Sequence, residues 1–176
     1  MRLFSMLLGS RRTTSSIGGK HILIAENDPS FSTVLKEFLQ RNGYPILLAS
    51  TATEARRLAR KEAISLAIID SSFSDDHDSS HRSGLKLAKR IRPTIPKVII
   101  SSYPTVALVR ESLRYRPDGP PLAVDFIHKA EGLERLLTSS LCALVSYSRR
   151  VRRDQFSIYQ FVAFAVVGQR FQLGDR

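Results

Sequence analysis

The sequence contains one cysteine, Cys142, among its 176 residues. A single cysteine excludes an internal disulfide, and no cysteine pair indicates structural zinc. No apolar run approaches the roughly 20 residues that a membrane-spanning helix needs. The sequence also lacks a glycine-rich phosphate loop, a nucleophile elbow and a histidine placed in an evident catalytic triad. These absences argue against a disulfide-rich, a membrane-spanning and a hydrolytic protein, and we expect a reducing, cytoplasmic compartment.

Acidic residues are scarce at both ends of the chain, whose net charge is +11. Residues 1–19 carry three arginines and no acid, and residues 140–176 carry six arginines and two acids. Basic flanks favour phosphates, anionic lipid or acidic protein surfaces, although a solvated tail without a dedicated partner is the alternative. The first segment resembles an organellar transit peptide or a truncated signal sequence, but it lacks a clear cleavage pattern. A disordered leader or an over-extended start is the preferred interpretation.

Three regions follow from this organisation: a basic leader at 1–19, a patterned domain at 20–140, and a basic, aromatic extension at 141–176. The extension is too short to be predicted as a second domain. It is predicted either to pack on the domain as an extra helix or strand, or to bind a partner, including a second copy in a homodimer.

The central region alternates short apolar runs with helical periods, which predicts an α/β fold with a parallel sheet covered by helices. Strands are predicted at 21–25, 46–49, 64–70, 97–100 and 123–128. Helices are predicted from Pro29 to Gly43, and at 51–62, 84–92 and 106–116, with a fifth from about 132. The first helix has an apolar stripe at helical spacing, formed by Phe31, Val34, Leu35, Phe38 and Leu39.

Polar residues follow four of these predicted strands. They are Glu26-Asn27-Asp28, Asp70-Ser71-Ser72, Ser101-Ser102 and Lys129. Open α/β sheets bind ligands at the carboxyl ends of their strands. Acids, hydroxyls and an ammonium group at one such edge predict a polar pocket that handles a phosphoryl group.

At these motifs, residues 20–140 resemble a response-regulator receiver domain of the CheY-like superfamily, the phosphoacceptor module of two-component signalling. The matching segments are 22–29, the strand end at Asp70, Gly84-Leu85, 98–101 and 125–129. The resemblance implies a flavodoxin-like (βα)5 three-layer sandwich with sheet order 2-1-3-4-5. It also implies a signalling domain without enzymatic turnover beyond its own phosphotransfer and dephosphorylation. The implied partners are a histidine kinase or phosphotransfer protein and a downstream protein effector.

The resemblance assigns roles to individual residues. Asp70 is the expected phosphoacceptor, since a carboxylate can take a phosphoryl group as a mixed anhydride. Lys129 and Ser101 are expected to contact phosphate oxygens, with Ser102 as the alternative hydroxyl. Phe126 occupies the position of the family's switch aromatic, and it is equally consistent with an ordinary core residue. The expected Mg²⁺ ligands are the side chains of Glu26, Asn27 and Asp70 and the backbone carbonyl of Ser72.

Three features depart from the family pattern. Asn27 replaces an acid, which predicts weaker Mg²⁺ binding, and Asp28 is either a substitute ligand or the cap of the first helix. The loop between Asp70 and Gly84 is long, and its acids and histidines are either solvated or ligands of another metal (Asp75, Asp76, His77, Asp78 and His81). Ala130 follows Lys129, where a proline is typical.

Two other functions compete with a phosphorylated receiver. A pseudo-receiver would keep the fold and act as an interaction module without phosphorylation, as Asn27, the long loop and Ala130 favour. A nucleic-acid-binding regulator using the basic tail is disfavoured, because the tail shows no standard reader motif.

Overall fold

The computed structural model describes residues 20–73, 82–115 and 119–145. Strands and helices alternate along this part of the chain. They are β1 (His21–Ala25), α1 (Pro29–Arg41), β2 (Ile46–Ala49), α2 (Ala52–Lys61), β3 (Ile64–Asp70), α3 (Ser83–Arg90), β4 (Lys97–Ser101), α4 (Val106–Leu113) and β5 (Asp125–His128). A short 3-10 turn (Lys129–Glu131) follows β5, and the chain is helical again at 133–145, here named α5.

The five strands form one parallel sheet in the order β2-β1-β3-β4-β5. This is the flavodoxin-like order expected from the sequence. Ala25 pairs with Ile69, and Asp70 pairs with Ile100. The ends of β1, β3 and β4 therefore lie at one edge of the sheet, with the end of β5 beside β4.

Both faces of the sheet are buried, which explains the nearly continuous apolar runs of β3 and β4. One face forms a cluster with α2, α3 and α4, in which Leu23 and Ile99 meet Leu58 and Leu85. The alternate strand residues are equally buried, and Leu35, Leu39 and Leu136 of α1 and α5 are buried outside that cluster. This double burial holds the carboxyl edge in place.

Capping side chains set the starts of the first two helices. Asp28 is the N-cap of α1, because its Oδ1 accepts the backbone N–H groups of Ser30 and Phe31. The capping alternative for Asp28 is thereby confirmed. Thr51 caps α2 in the same way by accepting the N–H of Glu54.

Three sequence predictions about elements need correction. Val34 is 54% exposed and does not belong to the buried face of α1, which includes Ser32 instead. Helix α4 ends at Leu113 rather than 116, because Arg114 is extended. Strand β5 begins at Asp125 rather than 123, since the N–H of Ala123 bonds to the carbonyl of Ser112 in α4. The predicted leader (1–19), the acids and histidines of the long loop, and residues 146–176 of the extension lie outside the described residues.

Candidate functional site at the carboxyl edge of the sheet

Asp70 is the last residue of β3 and is 5% exposed. Its Oδ2 accepts the backbone N–H of Ser72 at 3.1 Å, and its Oδ1 lies 3.2 Å from Nζ of Lys129. The N–H of Ser71 bonds to the carbonyl of Ile100 and extends the pairing one residue past the strand. Asp70 therefore presents a carboxylate on a rigid backbone at the sheet edge.

Lys129 reaches this carboxylate from the turn after β5. Its Nζ donates to Oε2 of Glu26 at 2.6 Å and pairs with Asp70, although Lys129 and Glu26 are 103 positions apart in sequence. The ring of Phe31 in α1 lies 4.5 Å from the same Nζ, measured to its centroid. An ammonium group in this position is attracted by the face of the ring as well as by the two carboxylates.

Burial and charge shift the protonation of this group of side chains. Burial raises the pKa of Glu26, and the nearby charge of Asp70 adds to the rise, against the hydrogen bond from Lys129. Burial alone would lower the pKa of Lys129, but its hydrogen bond to Glu26 and the charges of Asp70 and Glu26 outweigh that effect and raise it. Two carboxylates close to one ammonium leave the pocket with an excess of negative charge, which suits a second cation.

The carboxylate of Glu26 also holds the backbone of the turn that follows it. Oε1 of Glu26 accepts the N–H of Asp28, and Asp28 in turn caps α1. Asp28 is used as a cap, whereas the side chain of Asn27, directly after Glu26, is exposed.

Gly84 brings the start of α3 against the back of the Asp70 strand end. Its N–H bonds to the carbonyl of Ser71 at 2.9 Å. A Cβ at this position would lie 1.8 Å from the carbonyl oxygen of Asp70, closer than any side-chain carbon can approach. Glycine is therefore required for α3 to pack here.

Ser101 ends β4 and is 1% exposed. Its Oγ is hydrogen-bonded to Oγ of Ser71 at 2.8 Å and accepts the N–H of Tyr103 at 3.1 Å. It contacts the residue after Asp70 rather than the carboxylate itself. Phe126, in β5, is half-buried and packs against the cluster beneath the pocket.

The turn that carries Lys129 is stabilised without a proline. Oε1 of Glu131 accepts the N–H of His128 at 2.7 Å, and Gly132 has a φ of 86°. Among the described residues every peptide bond is trans. Ala130 therefore does not prevent Lys129 from reaching Glu26 and Asp70.

The pocket holds two carboxylates, those of Glu26 and Asp70, with the exposed Asn27 directly after Glu26 in the chain. Hard divalent cations such as Mg²⁺ take ligands of this kind, commonly one or two carboxylates with water and phosphate. Within the described ranges no group of three or more His, Cys, Asp or Glu side chains could hold a metal ion by itself. These residues fit Mg²⁺ with few protein ligands, and they do not fit a histidine- or thiolate-rich metal centre.

The sequence placed Glu26, Asp70 and Lys129 at one edge, and they do meet there. It did not identify two other pocket residues. In the sequence Phe31 belongs to the apolar stripe of the first helix, and Ser71 directly follows Asp70. In each case the only signal available was nearness along the chain to a predicted ligand or strand end.

Residues 22–140 match the sequence model of the response regulator receiver domain. The chain belongs to this family. A relative in Escherichia coli, the transcriptional regulatory protein ZraR, is 28% identical over 93 residues, which are 53% of this chain and 20% of ZraR. The match thus spans about a fifth of the length of that curated relative. Receiver domains are signalling modules of two-component systems, generally not enzymes, and the family interacts with histidine kinases and effector domains.

Solved structures share the fold. A CheY-like receiver domain protein from Methanospirillum hungatei is 24% identical, with a TM-score of 0.64 over 74% of this chain and 98% of that one. A response regulator protein from Burkholderia pseudomallei is 23% identical, with a TM-score of 0.56 over 77% of this chain and 72% of that one. Its crystal structure has a phosphorylated aspartic acid, a calcium ion and citrate. In the described part of the chain, no helix is both long and apolar enough to cross a membrane.

Proposed function

We propose that this chain is a receiver that accepts a phosphoryl group on Asp70 from a histidine kinase or a phosphotransfer protein. The observation that carries the proposal is the position of the Lys129 ammonium, 2.6 Å from Glu26 and 3.2 Å from Asp70. A buried carboxylate with a lysine and a second acid is the arrangement that phosphoryl transfer to an aspartate needs. The single cysteine agrees with a cytoplasmic location.

In the proposed step, a carboxylate oxygen of Asp70 attacks the phosphorus of a phosphohistidine. The new O–P bond forms as the P–N bond breaks, and the bonding electrons return to the imidazole nitrogen, which takes up a proton. Transfer of this kind depends on positioning and on neutralising the equatorial oxygens. Lys129, already paired with Asp70, neutralises one of them.

Mg²⁺, when bound, supplies the remaining positive charge at those oxygens. Glu26 and Asp70 would hold it through carboxylates, Asn27 through its amide oxygen and Ser72 through its backbone carbonyl. An amide in place of an acid removes one unit of charge next to the ion, so we expect weaker binding than two acids at this turn would give.

We further propose that the phosphorylated state is read by a downstream protein at the surface of α4, β5 and α5. Ser101 would donate its hydroxyl to the phosphoryl group, and Phe126 would change its packing. Tyr103, in the connection from β4 to α4, is 72% exposed, and Val106, the first residue of α4, is 68% exposed, so both offer apolar area to such a partner. The new charge would shift the population between two packings of this surface.

A pseudo-receiver is the second candidate, and two observations favour it. Asn27 reduces the charge available for a metal ion, and Ser101 is bonded to Ser71 instead of facing the carboxylate. In this alternative the same surface would bind its partner without phosphorylation.

Intact-mass measurement after treatment with acetyl phosphate distinguishes the two candidates. We expect the full chain to gain one phosphoryl group with Mg²⁺, little or none with EDTA, and none in Asp70→Asn. Asp125→Asn is the matched control, because Asp125 is a half-buried strand aspartate bonded to Ser139 and Arg135 outside the pocket. A folded wild type that stays unmodified with Mg²⁺ would favour the pseudo-receiver.

A further inference from the structure

The geometry points to Ser71 as a positioning residue that holds the Ser101 hydroxyl in the resting state and so opposes the phosphorylated state. This inference rests on the proposed function. Its basis is the 2.8 Å hydrogen bond between the two hydroxyl oxygens. Ser71 is 0% exposed and Ser101 is 1% exposed, so neither hydroxyl is in contact with bulk water in this arrangement.

Ser71 cannot follow Ser101 if that side chain turns toward Asp70. The N–H of Ser71 donates to the carbonyl of Ile100 at 2.8 Å, and its own carbonyl accepts the N–H of Gly84 at 2.9 Å. The backbone is thus held by β4 on one side and by the start of α3 on the other. A Cβ added to Gly84 would lie 3.0 Å from Cα of Ser71, so the start of α3 packs closely against this backbone.

Ser101 holds a second resting contact, since its Oγ accepts the N–H of Tyr103 at 3.1 Å. The Ser71 hydroxyl donates to Oγ of Ser101, so Ser101 keeps its own proton for a phosphoryl group on Asp70. A turn of the Ser101 side chain toward that group takes its Oγ away from the Ser71 hydroxyl and weakens or breaks the Tyr103 bond. Leaving a buried hydroxyl without a hydrogen-bond partner is unfavourable. The hydrogen bond from the Ser71 hydroxyl thus favours the unphosphorylated arrangement.

Ser71→Ala removes this bias, because no hydroxyl remains to be stranded when Ser101 turns. We expect the variant to bind beryllofluoride, an analogue of the acyl phosphate, about tenfold more tightly in the presence of Mg²⁺. In a Ser101→Ala background the same substitution should leave affinity unchanged, since the effect acts through Ser101. That dependence separates a positioning role from a general loosening of the fold.

Ser65→Ala is the matched control. Ser65 lies at the opposite end of β3 and donates its hydroxyl to the carbonyl of His21 at 3.0 Å. It loses a side-chain hydrogen bond on the same strand and should not change beryllofluoride affinity. Equal or weaker binding by Ser71→Ala than by wild type would overturn the inference, as would tighter binding that persists without Ser101.

A measurement on the unmodified chain gives an independent test that does not depend on the stability of the variants. On saturation with beryllofluoride and Mg²⁺, we expect the amide proton of Tyr103 to move upfield as Ser101 turns. Saturation that leaves this resonance in place would contradict the inference while leaving Asp70 as the acceptor. Failure of wild type to bind the analogue and to take up phosphate would instead overturn the proposed function.

Discussion

Gly84 packs against backbone at the edge of the pocket, which leaves no space for a side chain. Because an added Cβ would lie 1.8 Å from the Asp70 carbonyl oxygen, either α3 or the strand end must move in Gly84→Ala. Overpacking of this kind costs about 1–3 kcal/mol, and contact with backbone places the expected loss at the upper end. Urea unfolding of the full chain measures it, together with the yield of phosphorylated protein, which should also fall.

Gly119→Ala is the control for this prediction. A Cβ on Gly119 would meet no heavy atom within 4 Å. We expect the free energy of unfolding to stay the same or to rise by up to about 1 kcal/mol, because alanine restricts the unfolded chain. A similar loss in both variants would show that the close approach at Gly84 is not the cause.

A second prediction at the scale of single residues concerns Phe31. In Phe31→Leu the ring over the Lys129 ammonium is lost while much of the apolar volume is kept. We expect the contact itself to contribute about 0.5–2 kcal/mol, since the ammonium is largely desolvated. A double-mutant cycle with Lys129→Met isolates that part. A coupling energy near zero would mean that Phe31 stabilises the chain only through its apolar area.

At this scale the positions of the two acids could be predicted from the sequence, but one hydroxyl contact could not. Asp70 and Glu26 could be placed because each directly follows an apolar run, and such runs end at one edge of a parallel sheet. The Ser71–Ser101 bond joins residues 30 positions apart and depends on which way each hydroxyl points. No periodicity encodes that orientation, so the contact could not be predicted.

At the scale of elements, α3 and α4 are linked by a surface ion pair. Lys89 donates to Oε1 of Glu111 at 2.7 Å, and Arg82 lies 3.8 Å from the other oxygen. The hydrogen bond from Lys89 holds the pKa of Glu111 below its usual value. Both side chains are partly exposed, so solvent screening limits the pair to about 0.2–1 kcal/mol.

The lowered pKa of Glu111 determines how the contribution of the ion pair changes with pH. The ion pair contributes fully above the pKa that Glu111 has in the unfolded chain, near 4.5, and the contribution is lost as the pH falls through the folded value. A double-mutant cycle of Lys89→Met and Glu111→Gln should therefore show coupling at pH 7. The coupling should shrink in acid and in 1 M salt. Coupling that grew as the pH fell would contradict the assignment.

The elements themselves were largely predictable, with errors at their ends. Asp28 and Thr51 are local caps, so the starts of α1 and α2 could be read from neighbouring residues. The end of α4 and the start of β5 have no such cap. There the backbone of 123 and 124 bonds to Ser112 and Lys97, which are distant in sequence, and tertiary contacts set the boundary.

At the scale of the whole molecule, the sheet order decides which strand ends meet. Glu26 and Asp70 are brought together because β1 and β3 are neighbours, and Lys129 reaches them from β5 across the end of β4. Residues at the ends of three strands thus hold one another, so a cation bound there should stabilise the entire domain. A ligand that binds only the folded state raises its free energy of unfolding by mass action.

Mg²⁺ and Asn27 test this link between the pocket and the fold. At a free Mg²⁺ concentration ten times Kd, the free energy of unfolding should rise by roughly 1.4 kcal/mol. For a chain of this size that is about 3–6 °C in Tm. Asn27→Asp should lower Tm in EDTA, because it adds a negative charge beside Glu26 and Asp70. It should then gain more from Mg²⁺ than wild type does, with an affinity higher by about tenfold or more.

Asn42→Asp separates this effect from a general response to charge. Asn42 is the C-cap of α1, at the opposite end of that helix from the pocket. An aspartate there is mildly unfavourable against the helix dipole, but the gain in Tm on adding Mg²⁺ should equal that of wild type. If Asn42→Asp and Asn27→Asp gained equally from Mg²⁺, the ion would be acting on overall charge. Its binding would then lie outside the edge formed by β1, β3 and β5.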